Sequence, residues 1–297
     1  MQRALITGIT GFTGQYLAAE LSDIGFEVFG TTTNSKPSNP SCEFNVDLRD
    51  AESLKKVVND VKPDVVAHLA AISFVGHDDS SQIYTTNIVA TRHLLEALST
   101  AHKKPHSVLL SSSATVYGTG AQSPLSETAP FNPMNDYGIS KMAMEKLAAL
   151  WLDKLPLFIT RPFNYTGIGQ ADNFLIPKIM RHFREGLKDI ELGNLDVYRD
   201  FSDVRDVAKI YQRLITLAPQ GKIVNICSGQ AISLQQIISM MSEIAGYEIN
   251  VHINPQFVRD NEVKLLKGSP DYLDTLIGKY ERIAFQDTLK WMYQGER

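Results

Sequence analysis

The first half of the chain alternates short apolar runs with amphipathic stretches. The apolar runs have the length of buried strands and cover 4–7, 27–31, 42–46, 64–69, 107–110 and 157–160. The stretches between them repeat apolar residues every three or four positions, as Leu17 and Leu21 do, and predict helices over 12–22, 50–60, 83–99 and 136–151. Asp50 stands at an N-cap position. Strands alternating with helices predict a parallel sheet covered on both faces and joined by right-handed crossovers.

This alternation loosens after about Arg161. Helical patterns remain over 174–185 and 233–245, and prolines interrupt the other segments. We therefore predict an α/β fold: a Rossmann-like doubly wound parallel sheet over 1–164, and a smaller mixed C-terminal lobe over 165–297. Some segments of the lobe are expected to return to the sheet.

Composition narrows the class of protein. The 297 residues have a net charge of −4 and a pI near 6.0, which provides no basic field for nucleic acid. Cys42 and Cys227 have neither metal-ligand spacing nor the pattern of a disulfide framework. Apolar runs are too short to span a membrane, and Met1 lies directly before a predicted strand. We expect a cytoplasmic protein with no metal site, no nucleic-acid partner and no membrane partner.

Glycines recur in the turn between the first predicted strand and helix. Gly8 allows a tight turn, Gly11 lets the backbone approach a pyrophosphate at the helix N-terminus, and Gly14 lets the helix pack close to the strand. In this strand–turn–helix context the motif predicts dinucleotide binding; the alternative is an ordinary glycine-rich turn. Cofactor contacts are expected from the three glycines and from Phe12 and Thr13.

The second predicted strand ends without a carboxylate, in the sequence Gly-Thr-Thr-Thr-Asn-Ser-Lys over 30–36. An acid at this place commonly binds the ribose 2′-hydroxyl of NAD. The hydroxyl and amide groups here, among them the hydroxyl of Thr32, can accept the 2′-phosphate of NADPH. We therefore expect NADPH to be preferred and NADH to be tolerated. After the third strand, Asp47 and Leu48 are placed to meet the adenine. A turn residue flanking a helix is an equally good interpretation of Asp47.

A tyrosine and a lysine one helical turn apart form the second motif, over 137–141. The ammonium of Lys141 can stabilise the ionised phenol of Tyr137, which supplies a proton when a hydride reduces a carbonyl. Ser113, at the end of the fifth strand, can hydrogen-bond the reacting oxygen. An isolated Tyr/Lys pair is usually solvated surface. Together with the glycine turn, these residues predict nicotinamide-dependent oxidation or reduction, with Ser113, Tyr137 and Lys141 catalytic.

Five segments together resemble the extended short-chain dehydrogenase/reductase family: 7–14, 68–71, 111–118, 137–141 and 161–164. The resemblance implies the same three catalytic residues and cofactor contacts from Leu69, Ala70 and Ala71. It also implies a nucleotide-activated sugar as substrate. On this basis 1–164 is the NAD(P)-binding Rossmann domain and 165–297 the nucleotide-sugar lobe.

Residues after Ser113 separate the reactions of that family. The 4,6-dehydratases have acids there, whereas Ala114 and Thr115 cannot act as acids or bases at neutral pH, so dehydration is not expected. Segments 161–170, 193–207, 224–229 and 258–263 resemble GDP-4-keto-6-deoxy-D-mannose reductases. The resemblance implies reduction of that keto-sugar to GDP-D-rhamnose. A 4-epimerase, a reductase of a GDP-6-deoxy-heptose or talose-type sugar, and a non-catalytic dinucleotide sensor remain alternatives.

Polar residues suited to an anionic substrate follow the motifs. Arg199, Arg205 and Arg259 can pair a diphosphate, Asn164 can donate and accept, and Glu262 can accept from ribose or guanine. Ser73 is expected to touch the sugar. For Arg199 and Arg205, a solvated charge cluster at a helix start is the alternative, and the resemblance favours diphosphate binding by Arg199 and Arg259. The family resemblance also implies a homodimer that pairs the helices at 83–99 and 136–151.

Overall fold

The structure is a computed structural model that describes residues 1–34, 39, 41–73, 79–119, 122–258 and 263–295. It divides into two compact units. The first comprises Met1–Gly118, Phe131–Pro162 and Ala208–Val224. The second comprises Thr119–Pro130, Phe163–Val207 and Asn225–Arg297. The chain passes between the units several times. The sequence predicts one main boundary at 164 and 165 with some later segments returning to the sheet, and this division stays a prediction.

The strands and helices are short and alternate through most of the chain. The strands are β1 (Arg3–Thr7), β2 (Glu27–Thr32), β3 (Glu43–Asn45), β4 (Val65–His68), β5 (Ser107–Ser111), β6 (Leu157–Pro162), β7 (Asn164–Thr166), β8 (Asp189–Leu192), β9 (Tyr198–Asp203), β10 (Ile223–Ile226), β11 (Ala231–Ser233), β12 (Asn250–Ile253) and β13 (Leu265–Leu266). The helices are α1 (Phe12–Asp23), α2 (Ala51–Val61), α3 (Ser80–Tyr84), α4 (Ala90–Thr100), α5 (Asp136–Ala148), α6 (Leu175–Arg184), α7 (Val204–Leu217), α8 (Leu234–Ala245), α9 (Asp271–Ile277) and α10 (Phe285–Gln294).

One large sheet positions the motifs. Among the described strands, seven join in the order β10-β6-β5-β4-β1-β2-β3. The pairings from β3 to β6 are all parallel. Because β1 lies between β2 and β4, the strand order reverses there, and ligands of open α/β sheets bind at such a switch point. The predicted doubly wound parallel sheet is confirmed.

Burial on both faces explains why these strands are continuous apolar runs. Val108 and Leu110 are fully buried in one cluster with Leu54 of α2 and Leu94 of α4, and Leu109, which points to the opposite face, is also fully buried. A parallel sheet covered by helices on both sides leaves no solvent face on which polar residues could alternate. The continuous apolar runs in the sequence therefore correspond to strands that are buried on both faces of the sheet.

One predicted helix cap is present, and one helix departs from its predicted bounds. Asp50 caps α2 as predicted, accepting from the backbone N–H groups of Glu52 and Ser53. The helix predicted over 83–99 begins earlier, at Ser80, and a π-helical segment, Thr85–Val89, joins α3 to α4. Apolar periodicity cannot reveal a π turn, because the pattern on either side remains helical.

The second unit has two small sheets and an apolar core of its own. β9 pairs antiparallel with β11 and parallel with β7 and β13, and β8 pairs with β12. Its core gathers Phe183, Phe201, Met241 and Leu289, among others. The helices predicted over 174–185 and 233–245 are α6 and α8. Across the described residues, no helix is long and apolar enough to cross a membrane.

Candidate active site

Close packing explains the glycines between β1 and α1. Gly8 has a φ of +74°, and a Cβ there would lie 3.1 Å from the Cα of Ala70. A Cβ on Gly14 would lie 2.3 Å from the carbonyl oxygen of Gly8. The turn therefore accepts no larger side chain at these two positions without rearranging. It also brings Ala70, which follows β4, against Gly8.

The start of α1 suits an anion. Its N-cap is Gly11, so no side chain caps the helix, and the first turn contains no acid. The N–H groups of that turn and the helix dipole therefore favour a negatively charged group. Thr13 is buried and Phe12 packs edge-on against Tyr16. A dinucleotide pyrophosphate fits this cradle.

The end of β2 places hydroxyl groups beside the glycine turn. Thr32 is buried, and its Oγ1 lies 2.9 Å from Oγ1 of Thr10. Thr32 also accepts a hydrogen bond of 3.0 Å from the backbone of Asn34. Lys36 lies outside the described residues. The hydroxyl-rich strand end that the sequence analysis relied on is therefore present.

The segment after β3 contains Asp47 and Leu48. Leu48 is buried in the core of the first unit. The Asp47 carboxylate accepts from the side chain and backbone N–H of Arg49. These hydrogen bonds hold the pKa of Asp47 below its usual value. They are the bonds of a turn residue; the adenine contact stays a prediction.

His68 ties the carboxyl ends of β1 and β4 together. Its two ring nitrogens lie 2.7 Å from Oγ1 of Thr7 and 2.8 Å from Oγ1 of Thr91. Burial, followed by the charge of Lys141, lowers the pKa of His68 to about 3, so the imidazole is neutral. Thr7 Oγ1 also accepts from the backbone N–H of Ala70 at 3.3 Å. The segment with Leu69, Ala70 and Ala71 is thus anchored at the switch point.

Three consecutive serines, at 111–113, lie at the carboxyl end of β5 and contact different partners. The carbonyl oxygen of Ser111 accepts from Nζ of Lys141 at 2.7 Å. The hydroxyl of Ser112 donates to Glu145. Ser113, which is 8% exposed, ends the run next to the 3-10 turn Ala114–Val116. The strand end therefore contacts α5 at two successive turns.

Tyr137 and Lys141 lie on the buried face of α5. Asn135 caps this helix by accepting from the N–H of Gly138. Tyr137 is 9% and Lys141 5% exposed, and Nζ lies 5.9 Å from the centre of the tyrosine ring. Burial lowers the pKa of Lys141 to about 8, against the opposing charge of Glu145. The structure thus brings this predicted pair together and ties it to the β5 end that bears Ser113.

A buried ion pair, absent from our sequence prediction, supports this face of α5. Arg161 binds both carboxylate oxygens of Glu145, at 2.9 and 2.7 Å, and both side chains are 2% exposed. Arg161 also donates to the hydroxyl of Tyr117 and lies over its ring and that of Phe131. Glu145 follows Lys141 by one helical turn, and this spacing was the one available signal. Its arginine partner is remote in sequence.

Asn87 is a second buried polar residue that the sequence analysis missed. Its side chain exchanges hydrogen bonds of 2.9 and 3.1 Å with the backbone of Ile72 and donates to Ser140 at 3.0 Å. Ile72 precedes Ser73, an exposed residue that we expected to touch the sugar. Asn87 therefore links the segment after β4 to α5. Its signal in the sequence was an amide at a helical position between apolar residues, four after Ile83.

Two predicted substrate residues lie in the second unit. Asn164 is in β7, and its amide donates to the carbonyl oxygen of Asp200 at 3.4 Å. Arg199 is in β9, and its Nη1 donates to the carbonyl oxygen of Val263 at 2.6 Å. Arg259 and Glu262 lie outside the described residues.

Arg205 instead matches the charge-cluster interpretation. It binds both carboxylate oxygens of Asp203, at 2.9 and 2.7 Å, and lies 3.8 Å from the ring centre of Trp291. Within the described ranges, no group of three or more His, Cys, Asp or Glu residues could hold a metal ion.

Taken together, a doubly wound sheet, a glycine turn at its switch point and a buried Tyr/Lys pair beside a strand-end serine define an extended short-chain dehydrogenase/reductase. The chain belongs to the family described as GDP-mannose 4,6 dehydratase, whose model matches residues 5–292. The predicted family, its nucleotide-sugar branch and an enzyme of the oxidoreductase class are confirmed.

Two curated relatives span nearly the whole chain. One is the GDP-6-deoxy-D-talose 4-dehydrogenase of Aggregatibacter actinomycetemcomitans, 34% identical over 99% of this chain and 97% of the relative. Another is the GDP-6-deoxy-D-mannose reductase of Pseudomonas aeruginosa PAO1, 31% identical over 97% of this chain and 95% of the relative.

Two solved structures also match. A Burkholderia cenocepacia J2315 protein, provisionally described as an epimerase, is 48% identical with a TM-score of 0.92, over 98% of this chain and 97% of that one. The structure of RMD from Pseudomonas aeruginosa, complexed with NADPH, is 30% identical with a TM-score of 0.85, over 99% of this chain and 98% of that one.

Proposed function

We propose that this protein catalyses the NAD(P)H-dependent reduction of the C4 keto group of a GDP-4-keto-6-deoxy-hexose. The substrate that we propose is GDP-4-keto-6-deoxy-D-mannose, and the product is GDP-D-rhamnose. The observation that supports this most is the buried Tyr137–Lys141 pair tied to the end of β5. The two curated relatives, which act on GDP-linked 6-deoxy sugars, support the substrate class.

The residues of the first unit fit a nicotinamide dinucleotide. The cradle at Gly8, Gly11 and Gly14 would hold its pyrophosphate, while Lys141 and Tyr137 would contact its nicotinamide half. When bound, the cofactor supplies the hydride that reduces C4. The Pseudomonas aeruginosa structure with NADPH supports a cofactor of this kind.

Residues of the chain donate the proton to the C4 oxygen and stabilise the negative charge that develops there. Ser113 donates a hydrogen bond to the C4 carbonyl oxygen, orienting it and favouring the negative charge that develops there. Tyr137 transfers its phenolic proton to that oxygen, which completes the alcohol. The ammonium of Lys141 stabilises the phenolate that remains. Arg199 and Arg259 are proposed to bind the nucleotide diphosphate and Asn164 the sugar or a phosphate. Glu262 is proposed to accept from the ribose or guanine, and Ser73 to contact the sugar.

The proposal is tested by following NADPH oxidation at 340 nm with GDP-4-keto-6-deoxy-D-mannose generated in situ. NMR of the product should show GDP-D-rhamnose in a one-to-one ratio with the NADPH consumed. Tyr137→Phe should lower kcat by about 100-fold or more, because the proton donor is lost. Unchanged turnover by this variant would show that the acid is misassigned.

A nucleotide-sugar 4-epimerase is the second candidate, favoured by the similarity to the provisionally described Burkholderia epimerase. Epimerases retain NAD and recycle it. Denaturation of the purified protein would then release stoichiometric NAD, and NADPH would not be consumed with the keto-sugar. A product with talose stereochemistry would instead identify a C4 reductase of the opposite facial selectivity.

Cofactor preference follows from the strand end at Thr32. Since 30–34 contains no carboxylate, we propose that NADPH is preferred and NADH is tolerated. Comparing kcat/KM for the two cofactors tests this, and strict use of NADH would refute it.

We also propose a homodimer formed through the helices of the first unit. Three large apolar side chains on or beside these helices are exposed: Val89 by 39%, Ile139 by 38% and Leu150 by 70%. Sedimentation at micromolar concentration should give twice the chain mass; a monomer would refute the proposal. A cytoplasmic location remains a prediction, checked by cell fractionation.

A further inference from the structure

The hydroxyl of Ser113 has a constrained hydrogen-bonding environment. Its Oγ accepts from the backbone N–H of Thr115 at 3.2 Å and from the hydroxyl of Thr115 at 3.0 Å. A serine hydroxyl has two acceptor sites and one proton. Both acceptor sites are therefore used by a single neighbouring residue. Within the described part of the chain, the Ser113 hydroxyl is seen only as an acceptor.

This arrangement fixes the direction in which Ser113 can act. With both acceptor sites filled, the hydroxyl can make a further bond only by donating its proton. A donor is what a carbonyl oxygen needs while it acquires negative charge. If the hydroxyl of Thr115 were absent, one acceptor site would be open. Ser113 would then spend part of its time accepting from water or from a sugar hydroxyl instead.

The turn that holds Thr115 is itself packed against the start of α5. A Cβ on Gly138 would lie 3.0 Å from the carbonyl oxygen of Thr115, so the backbones approach closely there. Gly138 directly follows Tyr137. Val116 in the same turn accepts from the N–H of Asn132 at 3.0 Å. The Thr115 hydroxyl is therefore presented by a turn with fixed neighbours.

We propose that Thr115 is a positioning residue, whose hydroxyl commits the proton of Ser113 to the reacting oxygen of the substrate. This inference rests on the proposed function, because it assumes that Ser113 contacts that oxygen. Thr115 acts through Ser113 and transfers no proton itself. It therefore has a role in the reaction although it is neither an acid nor a base.

The test is a double-mutant cycle on kcat with Ser113→Ala, Thr115→Val and the combined variant. Thr115→Val keeps the backbone N–H and the shape of the side chain but removes the hydroxyl. We expect it to lower kcat by about tenfold, the effect of one lost hydrogen bond, with KM changed less than about threefold. Thr115→Ser restores the hydroxyl and should recover kcat to within about threefold.

The decisive comparison is in the Ser113→Ala background. There, Thr115→Val should cost less than about twofold, because the residue through which it acts is gone. The same loss in both backgrounds would overturn the proposal, since it would mean that Thr115 stabilises the turn or touches the substrate independently. No loss in the single variant would also overturn it. Melting temperatures of all variants report any separate structural effect.

A matched control is available at the surface. Ser126 and Thr128 have the same spacing, and their hydroxyl oxygens lie 2.9 Å apart on exposed side chains. Thr128→Val should leave kcat unchanged.

Failure of the proposed function gives a different result. Wild-type protein that does not reduce the keto-sugar refutes that substrate. The cycle is then measured with the nucleotide sugar that the protein does convert. Full activity of Ser113→Ala would refute the role of Ser113, and with it the role of Thr115.

Discussion

Replacing Glu145 with glutamine removes the negative half of the buried ion pair while preserving its shape. The guanidinium of Arg161, whose side chain is 2% exposed, then loses the charge that balances it. Removing one partner of such a pair costs about 3–5 kcal/mol, because a buried charge is left uncompensated. The hydrogen bond from Arg161 to the Tyr117 hydroxyl and the stacking of the guanidinium on the rings of Tyr117 and Phe131 remain, so we expect a loss near 3 kcal/mol, at the lower end of this range.

The assay is equilibrium unfolding in urea at pH 7, followed by tryptophan fluorescence and circular dichroism. Glu27→Gln is the matched control in the same unit. Glu27 pairs with Arg3 at 3.1 Å, but the two side chains are 45% and 40% exposed. Exposed pairs contribute about 0–1 kcal/mol. The double variant Glu145→Met/Arg161→Met should lose less free energy of unfolding than the sum of the losses of Glu145→Met and Arg161→Met measured singly. In the double variant no buried charge is left without its partner.

A loss below about 1 kcal/mol for Glu145→Gln would refute this reasoning, because it would mean that solvent or another group already compensates Arg161. The same variant has a second readout at Lys141. The charge of Glu145 opposes the burial that lowers the pKa of Lys141, so its removal should lower that pKa further below about 8. An NMR titration of the lysine measures this shift directly.

Three further predictions concern the glycine turn and two buried bases. Gly14→Ala should destabilise the fold by about 1–3 kcal/mol, because its Cβ would lie 2.3 Å from the carbonyl oxygen of Gly8. It should also weaken NADPH binding in a fluorescence titration. Unaltered affinity would contradict the role of this turn in binding the pyrophosphate. Lys141 has a folded pKa of about 8 against 10.5 unfolded, so the unfolded state binds more protons between these values and stability rises with pH there. Relative to Lys141→Met, wild type should gain up to about 3 kcal/mol in this range, as measured by urea unfolding. His68 has a folded pKa of about 3 against 6.5, so its contribution falls as pH drops from 6.5 towards 3, by up to about 5 kcal/mol; His68→Asn should show a flatter acid limb in the same assay.

Features with a local cause could be predicted from the sequence. The alternation of apolar runs and helical patterns specified the parallel sheet, because its central strands are buried on both faces. The Tyr137–Lys141 pair could be predicted because one helical turn separates the two residues. Asp50 was recognisable as a helix cap because a cap bonds to residues two and three positions further along the chain.

Features that depend on distant partners could not be predicted. The carboxylate of Glu145 is balanced by Arg161, and only the fold brings a residue of β6 to α5. Strands of the second unit such as β13, two residues long, carry too little pattern to be recognised. In each case the missing information is which segments become neighbours, and the residues themselves do not contain it.

The π-helical segment Thr85–Val89 limits how this gene can gain or lose codons. A π turn, with i→i+5 hydrogen bonds, holds one residue more than an α turn, so deleting one residue would close the segment to an α turn and shift the side chains within it, including that of Asn87. Asn87 would then no longer reach both Ile72 and Ser140. A single-codon deletion at this place should therefore be selected against more strongly than substitution of the exposed Val89. Length, as well as identity, is under constraint in this helix.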